Sequence, residues 1–572
     1  MKFDLSIVGF GPRGLHALES FLITLSRKRN YKTPKVCIFE SSGELGTGEA
    51  WRTDQPDSNW NNISDRNLEN LEGRDEFVLE DLIIPSFPSF MEWCKEKFDH
   101  EINEEKDHYF KRSTTGQYLN ERALSICDIL KTGNILTIYK TRVNSLTTSA
   151  NECQLQYGSQ QEIATRFVLL CLGHLKTVNS PENKKFLKHA GESKATFILD
   201  LYSKESLDYY KRFKRVAIKG MGLAMIDVVR MCVDTIEGNF RPEGDIFLKF
   251  TGETGTFKIA PYSLNGLPPI PKPVGRKVDE LFTPAQDVID KFKQTIKSQI
   301  NDRTISIKFL LERVAAVATD LYLDIENIDN SLGLSRDQLN KLLVNWYKDP
   351  TTESSLFINP HIPTNEYMRE FCLMAYGKGT ITLDYVAGQT WRHLQPTLYT
   401  LFAHPGLSAD FMEELVKIDT QSKPHTYGPP VESILQLIAL EEAGILTFEF
   451  ADQPDVKLLK DEFLLVKDEK TLRLDCVVNS VLADPVLEKI NDSLVDALTQ
   501  QGLAIPVTKM LAIDTNSSAA HQLYKGSSDK IYSLGRITKG SVLGTDAILE
   551  CFGENVGKWS KNFTEHYVNS TD

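Results

Sequence analysis

What this 572-residue sequence lacks narrows it before any motif is considered. No run approaches the roughly 18 consecutive apolar residues of a membrane-crossing helix. The longest, such as Phe167–Leu172, suits a buried strand. Basic charge is in deficit, 65 Lys+Arg against 78 Asp+Glu for a net charge of −13, which argues against a broad nucleic-acid footprint or a polybasic membrane anchor. The nine cysteines lie far apart with no C-x-x-C or C-x4-C spacing, so a zinc ribbon or a dithiol redox centre is not expected. The eleven histidines form no H-x3-H or H-E-x-x-H pair, and no metal site is expected. The acidic stretch Asp324–Asn330 lacks the central glycine and terminal glutamate of a calcium loop. Neither a G-x-S-x-G elbow nor a P-loop Gly-Lys-Ser/Thr occurs. An odd cysteine count and an N-terminus that runs directly into a strand point to a cytoplasmic chain without a secretory leader.

What is present is an ordinary globular composition, 41% hydrophobic and 25% charged, long enough for three or four folding units or for two large ones carrying insertions. The sharpest signal comes first. Phe3–Val8 reads as a short buried strand, followed by Gly9-Phe-Gly11-Pro12-Arg13-Gly14 and a helix with Leu15, Leu18 and Leu22 on one face. In such a turn Gly9 permits the reversal, Gly11 lets a pyrophosphate approach the backbone, and Gly14 allows close contact between helix and strand. The helix N-terminus supplies unpaired N–H groups and partial positive charge. A second strand, Val36–Phe39, ends at Glu40, whose carboxylate can accept hydrogen bonds from a ribose. The polar loop Arg27–Pro34 accounts for its position 26 residues beyond Gly14, slightly farther than the usual ~20.

Arg215–Lys219 repeats the pattern as a strand before Gly220-Met-Gly222, with Met225 where a third glycine would stand. After this motif Asp245–Thr251 ends without a ribose acid, and Lys249 is an ambiguous phosphate partner, so NADPH and NADH both stay open. Three further strands end near a turn: Thr165–Leu172 before Gly173, Leu474–Asn479, and Ile531–Leu534 before Gly535. Residues 275–445 carry no nucleotide signature and are expected to be mostly helical. Ser335 and Gln338 form a capping box there, and Val431–Ala443 forms a helix stopped by Gly444. Such a block can cover a cofactor, shape a substrate pocket or form an oligomer interface. Arg392 and His393 are candidates for a substrate carboxylate contact or a structural salt bridge, Lys539 for a substrate contact or a solvated charge, and His174 for a cofactor contact or a solvated loop.

At these residues the chain resembles the FAD/NAD(P)-binding family of two-dinucleotide flavoproteins, which is similar in turn to flavin-dependent N-hydroxylating monooxygenases. The resemblance is carried by Gly9–Leu15, Gly46-Thr-Gly-Glu-Ala-Trp51, Asn62-Ile63, Arg112-x3-Gly116-Gln-Tyr118-Leu119, Gly220–Asp227, Asp384–Arg392, Tyr427–Pro430 and Tyr532–Gly535. It implies an α/β fold of two Rossmann-like domains, the FAD domain split by the NAD(P) domain, with a largely helical insertion. The expected bounds are 1–178 and 486–572 for FAD, 179–274 and 446–485 for NAD(P), and 275–445 for the insertion. It implies that Gly9, Gly11, Pro12, Arg13 and Gly14 cradle the FAD pyrophosphate and that Glu40 holds its ribose. Trp51 and Asn62 would lie beside the isoalloxazine, Arg112 at the edge of the site, and Gly173, Gly535 and Thr545 along the flavin. Gly220 and Gly222 would receive NAD(P)H. The chain departs from the pattern at Gly535-Arg536, where many flavoproteins have Gly-Asp.

The implied activity is that of an NAD(P)H-using monooxygenase. A flavin C4a-hydroperoxide would oxygenate a small amine or amino acid, with O2 as co-substrate and no nucleic-acid or membrane partner; an oligomer is left open. Because the cofactor carries this chemistry, no catalytic residue is named. Two alternatives stand beside it: a flavin dehydrogenase or oxidase, and a sensor or scaffold whose FAD is structural.

Overall fold

The computed structural model describes residues 2–252, 255, 257–325, 328, 332–516, 521–523 and 529–570. The stretch Asp324–Asn330 therefore lies largely outside the described residues. In chain order the elements that build the site begin with β1 (Lys2–Val8), α1 (Pro12–Ser26), β2 (Val36–Phe39), α2 (Arg112–Thr132), β3 (Leu136–Tyr139) and β4 (Gln161–Leu170). They continue with β5 (Thr196–Ile198), β6 (Arg215–Lys219), α3 (Leu223–Val233), β7 (Lys258–Tyr262), α4 (Leu383–Leu401), α5 (Ala409–Thr426) and α6 (Val431–Glu442). The last are β8 (Cys476–Asn479), β9 (Ile531–Ser533) and α7 (Glu554–Asn569).

Two parallel sheets organise the molecule. The first runs β9-β4-β1-β2-β3, with all four pairings parallel. β1 is buried on both faces from Phe3 to Val8, as a central parallel strand is, with the polar Asp4 and Ser6 among its buried residues. β9 comes from the far end of the chain, as do the short antiparallel strands Thr515–Asn516 and Gln522–Leu523 that extend the sheet beyond it, and α7, which packs on α1. Phe563 meets Phe21 with ring centroids 4.9 Å apart and stacks on Trp559 at 5.1 Å. The first sheet is thus completed by residues more than 500 positions from its start. Antiparallel strands flank that parallel core, whereas the second sheet, β7-β6-β8-β5, is wholly parallel. Between β7 and β8 lies a block rich in helices from Arg276 to Glu442, whose core includes Trp346, Tyr385 and Trp391.

The strand that follows the second glycine motif differs from expectation. Phe247–Gly252 does not join the parallel sheet; it pairs antiparallel with Gly238–Glu243 as a separate hairpin. The strand beside β6 is Lys258–Tyr262. The hairpin's Phe240 and Phe250 pack edge to face at 5.2 Å, which satisfies its apolar residues without a place in the sheet. Among the described residues no helix is long and apolar enough to cross a membrane, and no group of His, Cys, Asp and Glu could hold a metal ion.

α1 buries one carboxylate. Glu19, 1% exposed, accepts hydrogen bonds from Arg74 (2.7 Å) and Arg122 of α2 (2.8 Å), so one carboxylate ties α1 to α2 and the 71–88 segment. Burial raises the carboxyl's pKa, but the two guanidinium groups outweigh it and the net shift is downward. A lowered folded pKa means that this contribution is present above the unfolded glutamate pKa and is lost as pH falls through the folded one. Glu19→Ala leaves two buried arginines uncompensated and should cost about 3–5 kcal/mol at neutral pH, read by urea denaturation. The difference from the parent should shrink in acid.

Candidate functional site

The ends of β1, β2, β4 and β9 share one edge of the first sheet, where open parallel sheets bind ligands. Gly9 turns away from β1 at φ +87°, and a methyl group there would stand 2.3 Å from the Cys171 carbonyl oxygen. Gly14 lies so close to the turn that a Cβ would meet Gly9 O at 2.6 Å. Gly11 caps α1 with Pro12 at its first position, leaving the amides of the first turn without partners inside the helix. Gly11 faces Gly48 across a gap where a Cβ would be 3.3 Å from the Gly48 Cα. Thr47, fully buried beside that gap, has a hydroxyl with no hydrogen-bond partner among the described residues. A glycine-walled slot, a free helix N-terminus and an orphaned hydroxyl suit a phosphate-bearing ligand. The loop Gly46–Gly48 is the part of this cradle that sequence reasoning gave only through resemblance; its signal is two glycines, both at positive φ, around a buried threonine.

Glu40 follows β2 and is 9% exposed; Oε2 accepts from Phe10 N at 2.9 Å, and Oε1 from the Ser42 amide and hydroxyl. These contacts hold the carboxylate on the glycine loop, where a lone pair on Oε2 remains for a ribose hydroxyl. Arg13 lies elsewhere than its neighbours suggest. Its guanidinium donates to the carbonyls of Thr545 (3.2 Å) and Glu550 (3.3 Å), and Gly535 packs against its Nε. It therefore pins the returning C-terminal segment to α1 and brings Gly535 and Thr545 to the same edge. Gly173, at φ +64°, has open space where a Cβ would stand. The residue after Gly535 is paired rather than facing a ribityl chain: Arg536 meets Asp546 at 2.6 Å, and Lys423 of α5 meets the same carboxylate at 2.7 Å. Lys539 is 3% exposed between Thr420 and Asp484, not solvated. Trp51 is partly buried, and its carbonyl lies against Gly116 of α2. The Asn62 carbonyl accepts from Lys272.

The second sheet repeats the geometry. Gly220 N donates to Tyr262 O at 2.8 Å just as Gly9 N donates to Phe39 O at 2.9 Å, so Tyr262 stands where Phe39 does and Ser263 where Glu40 does. Gly220 has φ +108° against Ser480, and Gly222, the cap of α3, has nothing within 4 Å of a Cβ position. Asn479 at the end of β8 carries a buried side-chain oxygen without a partner among the described residues. Met225, fully buried, fills the third glycine position with packing.

Arg112 joins the two units. It begins α2, and its guanidinium meets Asp227 of α3 at 2.7 Å and the Tyr202 hydroxyl at 3.3 Å, while that hydroxyl donates to Asp227 at 2.7 Å. Burial opposes the Arg112 charge, but Asp227 overcomes it and the pKa is raised. Neither Asp227 nor Tyr202 stands out in the sequence as a bridging group. Arg392 and His393 both bond Asp279, which Arg66 also holds at 2.7 Å, so that pair is structural. His174 is exposed on its loop.

Gly11→Val would place a branched side chain against Gly48 in the mouth of the slot. The purified variant should lose most of its flavin absorbance per mole of protein, while an FAD-free parent and the variant unfold at the same temperature.

A model of the FAD-NAD(P)-binding family matches residues 6–175. Nitrosuccinic acid synthase npaA of Aspergillus oryzae is 23% identical over 552 residues, covering 88% of this chain and 82% of that protein. Among solved structures, ornithine hydroxylase PvdA of Pseudomonas aeruginosa aligns over 99% of this chain and all of its own at TM-score 0.49 and 10% identity. Ornithine N-hydroxylase KtzI of Kutzneria sp. 744 aligns over the whole of both chains at 0.44 and 12%. With the glycine slot, Glu40 and the parallel strands in place, residues 6–175 are similar to the FAD-NAD(P)-binding domain that this family model describes.

Proposed function

We propose that the chain is an FAD-dependent, NAD(P)H-using monooxygenase that oxygenates the nitrogen of a small amine or amino acid. The observation that carries the reading is the bridge from Arg112 to Asp227 and Tyr202. It packs the start of α2 in the FAD unit against the start of α3 in the NAD(P) unit, as transfer between two bound dinucleotides requires. FAD bound on the first sheet supplies the redox chemistry, accepting hydride and activating O2. The chain's own residues bind and orient. Gly9–Gly14 and Gly46–Gly48 receive the pyrophosphate, Glu40 the ribose, and Gly173, Gly535 and Thr545 border the flavin. The helical block from Arg276 to Glu442 covers that edge through α5 and excludes water. In this reading Trp51 and Asn62 lie beside the flavin ring, and the bounds 1–178, 179–274, 275–445, 446–485 and 486–572 divide the chain.

Oxygenation at nitrogen is supported by the relative named a nitrosuccinic acid synthase, because a nitro group places two oxygens on one nitrogen. NADPH is favoured over NADH by Ser263. It occupies in the second unit the place that Glu40 holds in the first, and Leu264 and Asn265 follow it, so no carboxylate is there for a ribose 2′-hydroxyl.

The protein should purify with FAD, oxidise NADPH faster when a small amine or amino acid is added, and give a product carrying 18O on nitrogen under 18O2. The kcat/KM for NADPH should exceed that for NADH by at least tenfold. An FAD-bound protein that turns over NADPH without labelled product would contradict the monooxygenase reading and favour an oxidase.

A further inference from the structure

Outside both glycine loops, a cavity of about 470 Å³ lies where α3, α6 and the loop at Asp57–Trp60 meet. Five aliphatic side chains line it, Ile226, Val229 and Val233 from α3 and Leu437 and Leu440 from α6, together with polar groups that include Asp57 and Asp234 at its rim. One charged side chain of α3 stands among them. Arg230 lies over the Trp60 ring, its guanidinium carbon 3.8 Å from the ring centroid, and donates from Nε to Gln436 Oε1 at 2.9 Å and from Nη2 to Ser433 Oγ at 2.8 Å. Among the described residues no carboxylate forms an ion pair with it and no acceptor meets Nη1. The nearest acid in sequence, Asp227, is one turn away and already bonded by Arg112 and Tyr202. Ser58, on the opposite wall, has a buried hydroxyl without a partner.

An arginine whose guanidinium bonds polar neighbours but no carboxylate directly is an incomplete pair, since buried charges are ordinarily matched by contact. Burial, with Arg112 adding to it, lowers its pKa to about 10, while Asp227, Glu432 and Asp234 oppose the shift from a distance. Five guanidinium donors serve two acceptors here, so the fork retains donors for a planar anion such as a carboxylate. The Ser58 and Ser433 hydroxyls and the Gln436 amide line the same space, while the aliphatic walls suit a hydrocarbon chain behind the charged head.

We propose that this cavity is a binding site for small molecules that carry a carboxylate on an aliphatic chain, with Arg230 as the carboxylate receptor and the α3–α6 seam as the chain pocket. The site is separate from both dinucleotide loops, and it stands whether or not the chain is a monooxygenase, because it is tested by binding rather than turnover.

The test is isothermal titration of the FAD-loaded protein with hexanoate, using hexanamide as the uncharged analogue. Hexanoate should bind saturably at one site, and hexanamide at least tenfold more weakly. Arg230→Met should weaken hexanoate at least tenfold. Ser58→Phe, which fills the cavity from the loop and leaves the guanidinium in place, should do the same; both variants are to be compared at parental FAD content and thermal midpoint. If one variant misfolds, the other and the hexanamide control still decide. Absence of saturable hexanoate binding, equal binding of the amide, or undiminished binding in the folded variants would each overturn the proposal.

Discussion

Asp227 lies in the second turn of α3, where its carboxylate accepts from the Arg112 guanidinium and the Tyr202 phenol at the same oxygen. Each partner comes from a different stretch of chain: Arg112 opens α2 of the FAD unit, and Tyr202 precedes β6 of the other. The three groups have little access to water, so their charges are weakly screened and each requires the others; removing one partner of such a set leaves a buried charge uncompensated. Two parallel sheets could bind their dinucleotides independently, but a flavin and a nicotinamide react only when held in contact. This constraint gives the rest of the architecture its meaning. Arg112 also donates to the Trp60 carbonyl at 3.2 Å, so the loop that carries Asn62 is anchored to the same bridge.

The FAD unit obeys a second constraint, closure by its own distant end. Arg13 sits in the glycine motif, yet its hydrogen bonds run to Thr545 and Glu550, and α7 covers α1 with stacked aromatics. A residue type that suggests phosphate binding serves to hold the C-terminal return in place. The acid that usually follows the last strand is replaced by Arg536, and its charge is balanced by Asp546, which Lys423 from the helical block also holds. The helical block is thereby tied to the C-terminal return beside the first sheet by an ion pair rather than by apolar packing alone.

Much of this was legible in the sequence because the signals are local. Strand, three glycines and amphipathic helix follow one another between Phe3 and Leu22, and Glu40 falls at the end of the next strand. The strands at 165–172, 474–479 and 531–534, the capping box at Ser335 and the helix from Val431 were readable for the same reason: each is dictated by neighbours a few residues away. What was not legible depends on partners far along the chain. The stretch after the second glycine motif pairs as the separate hairpin at 238–252 and the strand beside β6 comes later, at Lys258–Tyr262, since alternating apolar residues fit either role and only pairing decides. Arg13 to Thr545, Arg112 to Asp227, Glu19 to Arg74 and Arg122, and Arg392 to Asp279 each join residues between 55 and 532 positions apart. No spacing in the sequence marks such pairs.

The central claim is that the Asp227 bridge holds the two dinucleotide units in reacting contact, and anaerobic reduction of the bound flavin by NADPH in a single turnover tests it most directly. Asp227→Asn keeps the shape of the side chain and removes its charge. The account predicts full FAD content, an unchanged flavin spectrum and flavin bleaching by NADPH at least tenfold slower than in the parent. Bleaching at the parental rate in a folded, FAD-loaded Asp227→Asn protein would contradict it.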